Sequence, residues 1–139
     1  WNSFENDRIR YLNQTKNWIG FNDYNLRVLW LALALNTPNY NADAAALSKE
    51  LIQYSSLDFE ASTRQNALES LIGFQIIKPE VLHNLVNATT HHLWQFSKFG
   101  RDNIRKLLKD PKYRTTFEEL LPVLNENEKS QLNRLLVEK

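Results

Sequence analysis

The sequence predicts an all-α protein of about eight helices packed as antiparallel pairs. Strand signals are poor: alternating β-branched runs are missing, and only three Gly and four Pro are present to punctuate hairpins. Apolar residues instead recur three and four positions apart from end to end. Residues that start and stop helices stand between those runs.

The elements follow in order. Phe4, Ile9, Tyr11 and Leu12 have helical spacing and predict a first helix ending near Gly20. Asn22 or Asp23 can cap a second, which runs through Leu26 and Val28–Leu31 to Leu35 and stops before Asn36-Thr37-Pro38. Asn41 or Asp43 can cap a third, with Leu47, Leu51 and Ile52 as its apolar stripe. Ser56 or Asp58 can cap a fourth, through Ala61, Leu68, Leu71 and Ile72, with Gly73 placed to end it. Pro79 suits the first turn of a fifth helix bearing Val81-Leu82 and Leu85-Val86. A sixth is expected from His92 to Lys109, and Asp110-Pro111 then opens a seventh with Tyr113, Phe117 and Leu120-Leu121. Asn125 to Glu128 resembles a capping box for the last helix, which carries Leu132, Leu135 and Leu136.

These helices repeat. Arg27, Arg64 and Gly100 are 37 and 36 residues apart, and apolar residues follow each at +4, +7 and +8. They are Leu31, Ala34 and Leu35, then Leu68, Leu71 and Ile72, then Ile104, Leu107 and Leu108. A two-helix hairpin of that length cannot bury its apolar stripe alone, so stacked neighbours must supply the core. The expectation is a HEAT-like α–α superhelix, a right-handed stack of helix pairs.

Composition bounds the function. A chain of 139 residues, 42% hydrophobic and 24% charged, has the size of one domain and can bury a core without a disulfide or metal staple. Seventeen basic and sixteen acidic residues leave a net charge of +1, which argues against a general nucleic-acid coat or a polybasic membrane binder. The longest nearly apolar run, Val28 to Leu35, is far short of the roughly 20 residues a membrane span needs. Zero Cys excludes disulfides, a thiol nucleophile and thiolate metal sites, and fits either the cytoplasm or an exported protein. The sequence has no Met and opens at Trp1, so residues 1–139 are expected to be a single helical-repeat domain from a larger protein.

No catalytic or metal residue is assigned. His83, His91 and His92 lack the i, i+4 pairing and adjacent Glu of a helical zinc pair. On a helix, His91 and His92 would point about 100° apart. The three are expected at a helix junction, one of His83, His91 and His92 satisfying a loop or helix-end carbonyl. The strongest local signal is charge. Lys98 to Arg114 holds seven basic and two acidic residues, and is +5 against −4 for the rest of the chain. Lys98, Arg101, Arg105 and Lys109 fall in a stripe about 80° wide, with Trp94 on the same side one turn earlier. Guanidinium groups beside an indole suit anion or peptide contact. Basic residues also favour a helix C-terminus for its dipole alone. Phosphate binding through this stripe would weaken steeply with salt.

Ser62-Thr63-Arg64-Gln65-Asn66-Ala67-Leu68 and Asp110-Pro111-Lys112-Tyr113, set in a helical array over residues 22 to 139, resemble the C-terminal helical-repeat region of aminopeptidase-N-like zinc metallopeptidases. The resemblance implies a non-catalytic domain that caps the active-site bowl and can contact the far end of the peptide. Zinc would be held in the parent's catalytic domain, through a His-Glu-x-x-His motif and a downstream Glu. That motif does not occur here, so no catalytic residue carries over. The implied partner is the rest of the parent polypeptide. A helical-repeat scaffold would instead bind another protein.

Overall fold

The computed structural model describes residues 2–16, 24–40 and 43–138. Eight α-helices form among them, without a strand: α1 (Asn2–Thr15), α2 (Tyr24–Leu35), α3 (Ala44–Tyr54), α4 (Ala61–Gly73), α5 (Pro79–Thr89), α6 (Trp94–Leu107), α7 (Pro111–Leu120) and α8 (Glu126–Leu136). A 3-10 turn at Leu121–Val123 follows α7. The all-α class is as the sequence predicts. The chain divides into two compact units, Trp1–Gln75 and Ile76–Lys139.

In the first unit α2 packs on α1, α3 and α4, and α3 also packs on α4. Leu12, Val28, Leu31, Leu51, Leu68 and Leu71 form its fully buried centre. The second unit is arranged around α5, which packs on α6, α7 and α8, while α6 also meets α8. Val81, Leu82, Leu85, Ile104, Phe117 and Leu132 are its buried centre. The repeated register holds at the level of burial. Leu31 and Ala34, Leu68 and Leu71, and Ile104 and Leu107 all point inward at +4 and +7 from their anchors.

Several boundaries follow their local chemistry. The Asp43 carboxylate accepts the Ala45 and Ala46 N–H groups at 3.0 and 3.4 Å, capping α3. Asp110 accepts Lys112 N–H at 2.9 Å with Pro111 in the first turn of α7. At α8 the capping box is complete: Asn125 Oδ1 accepts Glu128 N–H at 2.8 Å, and the Glu128 carboxylate accepts Asn125 N–H at 3.0 Å. Together such reciprocal bonds satisfy two donors that the helix itself leaves open.

Other boundaries differ from expectation. The first helix ends at Thr15, short of Gly20, with Lys16 already in a turn. Gly20 itself lies outside the described residues, as do the proposed caps Asn22, Asp23 and Asn41. Neither Ser56 nor Asp58 caps α4, which starts after Glu60 without a side-chain cap. The cause is aromatic. Phe59 lies edge-on to Tyr24 and Tyr54, with ring centroids 5.1 and 5.0 Å away, which holds residues 55–59 as a turn. Gly73 is the last residue of α4, yet the left-handed residue is Gln75, at φ 60°. The sixth helix starts two residues later than expected, at Trp94, because His91 and His92 belong to the turn before it.

Candidate functional site

The helical register of α6 puts Trp94, Lys98, Arg101 and Arg105 on one side, while Lys109 lies past its last residue. Trp94 is 66% exposed at the helix start. The basic groups, however, largely meet carboxylates of their own surface. Lys98 Nζ stands 2.6 Å from Asp102, and Arg105 Nη1 stands 3.0 Å from the same carboxylate. Arg105 also grips Glu138 with two parallel bonds of 2.8 and 3.2 Å. The Lys98 hydrogen bond holds Asp102 below the usual carboxylate range, and the Arg105 bond does the same to Glu138. Arg101 Nη1 donates to Ser97 Oγ at 3.3 Å, inside its own helix. Lys109 is exposed near the C-terminal end of α6, and no acidic group among the described residues pairs with it. The stripe is therefore an alternating row of charge, with Lys109 beyond its end.

Around the corner, Arg114 donates to the Leu136 carbonyl near the end of α8. Lys112 lies over the Tyr113 ring at 5.3 Å. The motif residues that carried the family resemblance have structural roles. Thr63, Arg64, Ala67 and Leu68 are buried in α4, where desolvation pulls the Arg64 guanidinium below its ordinary pKa. Asp110 and Pro111 start α7.

The first unit holds a polar centre that sequence reasoning missed. Arg27 Nε and Nη2 grip the Glu50 carboxylate at 2.6 and 2.8 Å, and Tyr54 Oη donates to Glu50 at 3.2 Å. The Arg27 guanidinium lies over the Trp30 ring at 4.3 Å, and its Nη1 donates to the Lys16 carbonyl at 3.1 Å. Trp30 Nε1 donates to the Leu12 carbonyl at 3.2 Å, so α2 is tied to both α1 and α3. Burial opposes the Arg27 charge, but the Glu50 bond and charge outweigh it and raise the pKa. Desolvation, then Glu50, raises that of Tyr54. The local halves of this network, Arg27 with Trp30 and Glu50 with Tyr54, stand at i, i+3 and i, i+4 and are visible in the sequence. Their meeting across 23 residues is not.

A shallow pocket of about 250 Å³ lies between the end of α5 and the start of α8. Thr89, Thr90, His91, Asn127, Ser130 and Gln131 line it, and none carries a carboxylate. The histidines correct the expected geometry. Rather than diverging by a helical step, the His91 and His92 rings stack at 4.4 Å and 22°. The His91 Nδ1 accepts Leu93 N–H at 3.0 Å. His83 sits separately, half-buried in α5. No group of three or more His, Cys, Asp or Glu among the described residues could hold a metal ion.

No helix among the described residues is long and apolar enough to cross a membrane. Compared with protein-family models, with curated proteins and with solved structures, the chain matches none.

Proposed function

We propose that this chain is a non-catalytic α-helical module that works by protein–protein contact. One observation carries the reading. On α2, Leu26 and Leu29 stand one turn apart and are 56% and 61% exposed, while Val28, Leu31 and Ala34 of the same helix are buried. A helix that is apolar on both faces belongs between two packed layers, and among the described residues of this unit only one is present. The occupant of the outer face is the complementary apolar surface of another polypeptide. In its narrower form, the module is the HEAT-like C-terminal cap of a zinc aminopeptidase-like protein, and the second layer is the parent chain. The zinc then belongs to the parent's catalytic domain, and this chain contributes closure of the bowl and contact with the peptide.

The double variant Leu26→Lys/Leu29→Lys tests the reading. It should keep its helical circular dichroism and lose a stoichiometric protein partner that the unaltered chain retains, confirmed by titration of that partner in purified form. Identical partner binding by the folded variant would overturn the α2 interface. A reading frame without a His-Glu-x-x-His motif upstream of Trp1 would overturn the narrower form while leaving the broader one standing.

A further inference from the structure

We infer that one side of α1 is a second contact surface of the first unit, fitted to a peptide segment in which a carboxylate is flanked by apolar side chains. Phe4, Arg8 and Tyr11 stand at i, i+4 and i+7, within about 60° of one another around the helix. Phe4 is 71% and Tyr11 45% exposed, although Leu12 of the same helix is fully closed. Arg8 stands between the two rings along this side, half-buried, and its Nε is covered without a hydrogen-bond partner. A guanidinium nitrogen held away from water with nothing to bond is unfavourable, so a partner is expected.

The acids of α1 are engaged elsewhere. Glu5, three residues before Arg8, accepts the Asn39 N–H and the Asn39 side-chain amide at 3.3 and 3.0 Å. Asp7 stands 3.4 Å from Arg10, and one residue from Arg8 means about 100° around the helix. No ion pair among the described residues includes Arg8. The guanidinium is a positive charge between two exposed rings, with no carboxylate among the described residues to answer it.

That combination selects the occupant. The terminal nitrogens of a guanidinium can fork a carboxylate with two parallel bonds. A free inorganic anion can use the fork but leaves both rings in water. A peptide with Asp or Glu between apolar residues answers the charge and the rings together. Covering the rings also removes the water that would screen the pair. The inference rests on the reading of the chain as a protein-contact module, but not on the Leu26 and Leu29 face, which belongs to α2.

Selection of a display library of short random peptides against the folded full chain tests this. Peptides with Asp or Glu between apolar residues should be enriched. Synthetic copies should bind Arg8→Gln about tenfold more weakly, the scale of one charge-assisted pair. Changing their acid to the amide should cost the same factor, with little further loss when both changes are combined. Phe4→Ser/Tyr11→Ser should weaken acid and amide peptides alike. Arg8→Lys keeps the charge without the fork and should bind with intermediate strength. It takes the place of Arg8→Gln should that variant lose its helical circular dichroism. No enrichment, enrichment of peptides without an acid, or equal binding by the Arg8 variant would each overturn the inference. Peptides released by Leu26→Lys/Leu29→Lys but not by the Arg8 variant would overturn it while leaving the α2 interface standing. A dimer of the chain, or binding to phosphatidylserine vesicles, that depends on Arg8 in place of peptide binding would also overturn it.

Discussion

A Cβ atom built on Gly100 would stand 3.1 Å from the Ala88 Cβ, so at this point α5 and α6 lie so close that a side chain fits only if α5 gives by a few tenths of an ångström. The Leu85 carbonyl oxygen at 3.1 Å and Thr89 Cγ2 at 3.2 Å close the other sides. Glycine in mid-helix costs roughly 1 kcal/mol relative to alanine, and the close approach of the two helices offsets that cost. Gly100→Ala should therefore fail to deliver the usual gain and destabilise by about 1 kcal/mol. Gly100→Leu should destabilise by roughly 1–3 kcal/mol. Urea unfolding of both variants checks this; a raised midpoint in both would show that α5 yields easily.

Gly73 should behave in the opposite way. Nothing lies within 4 Å of a Cβ built there, and its backbone is not left-handed. Gly73→Ala should stabilise by about 0.5 kcal/mol, through helix propensity and a less flexible unfolded chain. Two residues on, Gln75 holds φ 60°. Gln75→Gly should gain about 0.5 kcal/mol by relieving that conformation. Thermal unfolding of the two single variants separates these effects from the loss at Gly100.

The Arg27–Glu50 fork should be the costliest polar contact to break in the first unit. Arg27→Ala removes two bonds to Glu50, one to the Lys16 carbonyl and the stacking on Trp30. A loss of about 2–3 kcal/mol is expected, most of it from leaving a half-buried carboxylate with only Tyr54. Arg27→Lys keeps the charge without the fork and should lose about 1 kcal/mol. In denaturant unfolding, Arg27→Met/Glu50→Leu should cost less than the sum of its single changes.

Acid should loosen the α6 surface. Asp102 and Glu138 both have pKa values lowered by hydrogen bonds from Lys98 and Arg105. A carboxylate with a lowered folded pKa stabilises above its ordinary range and loses that contribution as pH falls through the folded value. The effect should appear below about pH 4.5. Carboxylate titration followed by NMR should show both lowered values return toward normal in Arg105→Gln, with Glu138 moving most. An unchanged Glu138 would mean that the Arg105 fork is not populated in solution.

Helix class, most helix starts and the inward positions of the repeat were legible because their signals are local. Asp43, Pro79, Asp110-Pro111 and the Asn125–Glu128 box each act within one helical turn. The late start of α4 was not legible, because Phe59 is held by rings from Tyr24 and Tyr54 that lie elsewhere in the sequence. The basic stripe illustrates the same division. Its helical face could be read from spacing alone. Its neutralisation by Glu138, 33 residues from Arg105, could not. Asp102 was a visible exception, since i, i+4 and i, i+3 pairing with Lys98 and Arg105 is a local rule.

The placement of α5 has a consequence for how the second unit is assembled. It emerges first from synthesis among the helices of that unit, yet α6, α7 and α8 all pack against it. Val81, Leu82, Leu85, Val86 and Ala88 have their native cover only after those later helices have formed. Each new helix can join an element already present, so assembly proceeds by successive docking with short loop closures. Loosening α5 should then slow folding, whereas loosening α8, the last to arrive, should mainly hasten unfolding. A ribosome stalled before α8 would hold a chain whose apolar centre is still open to other chains.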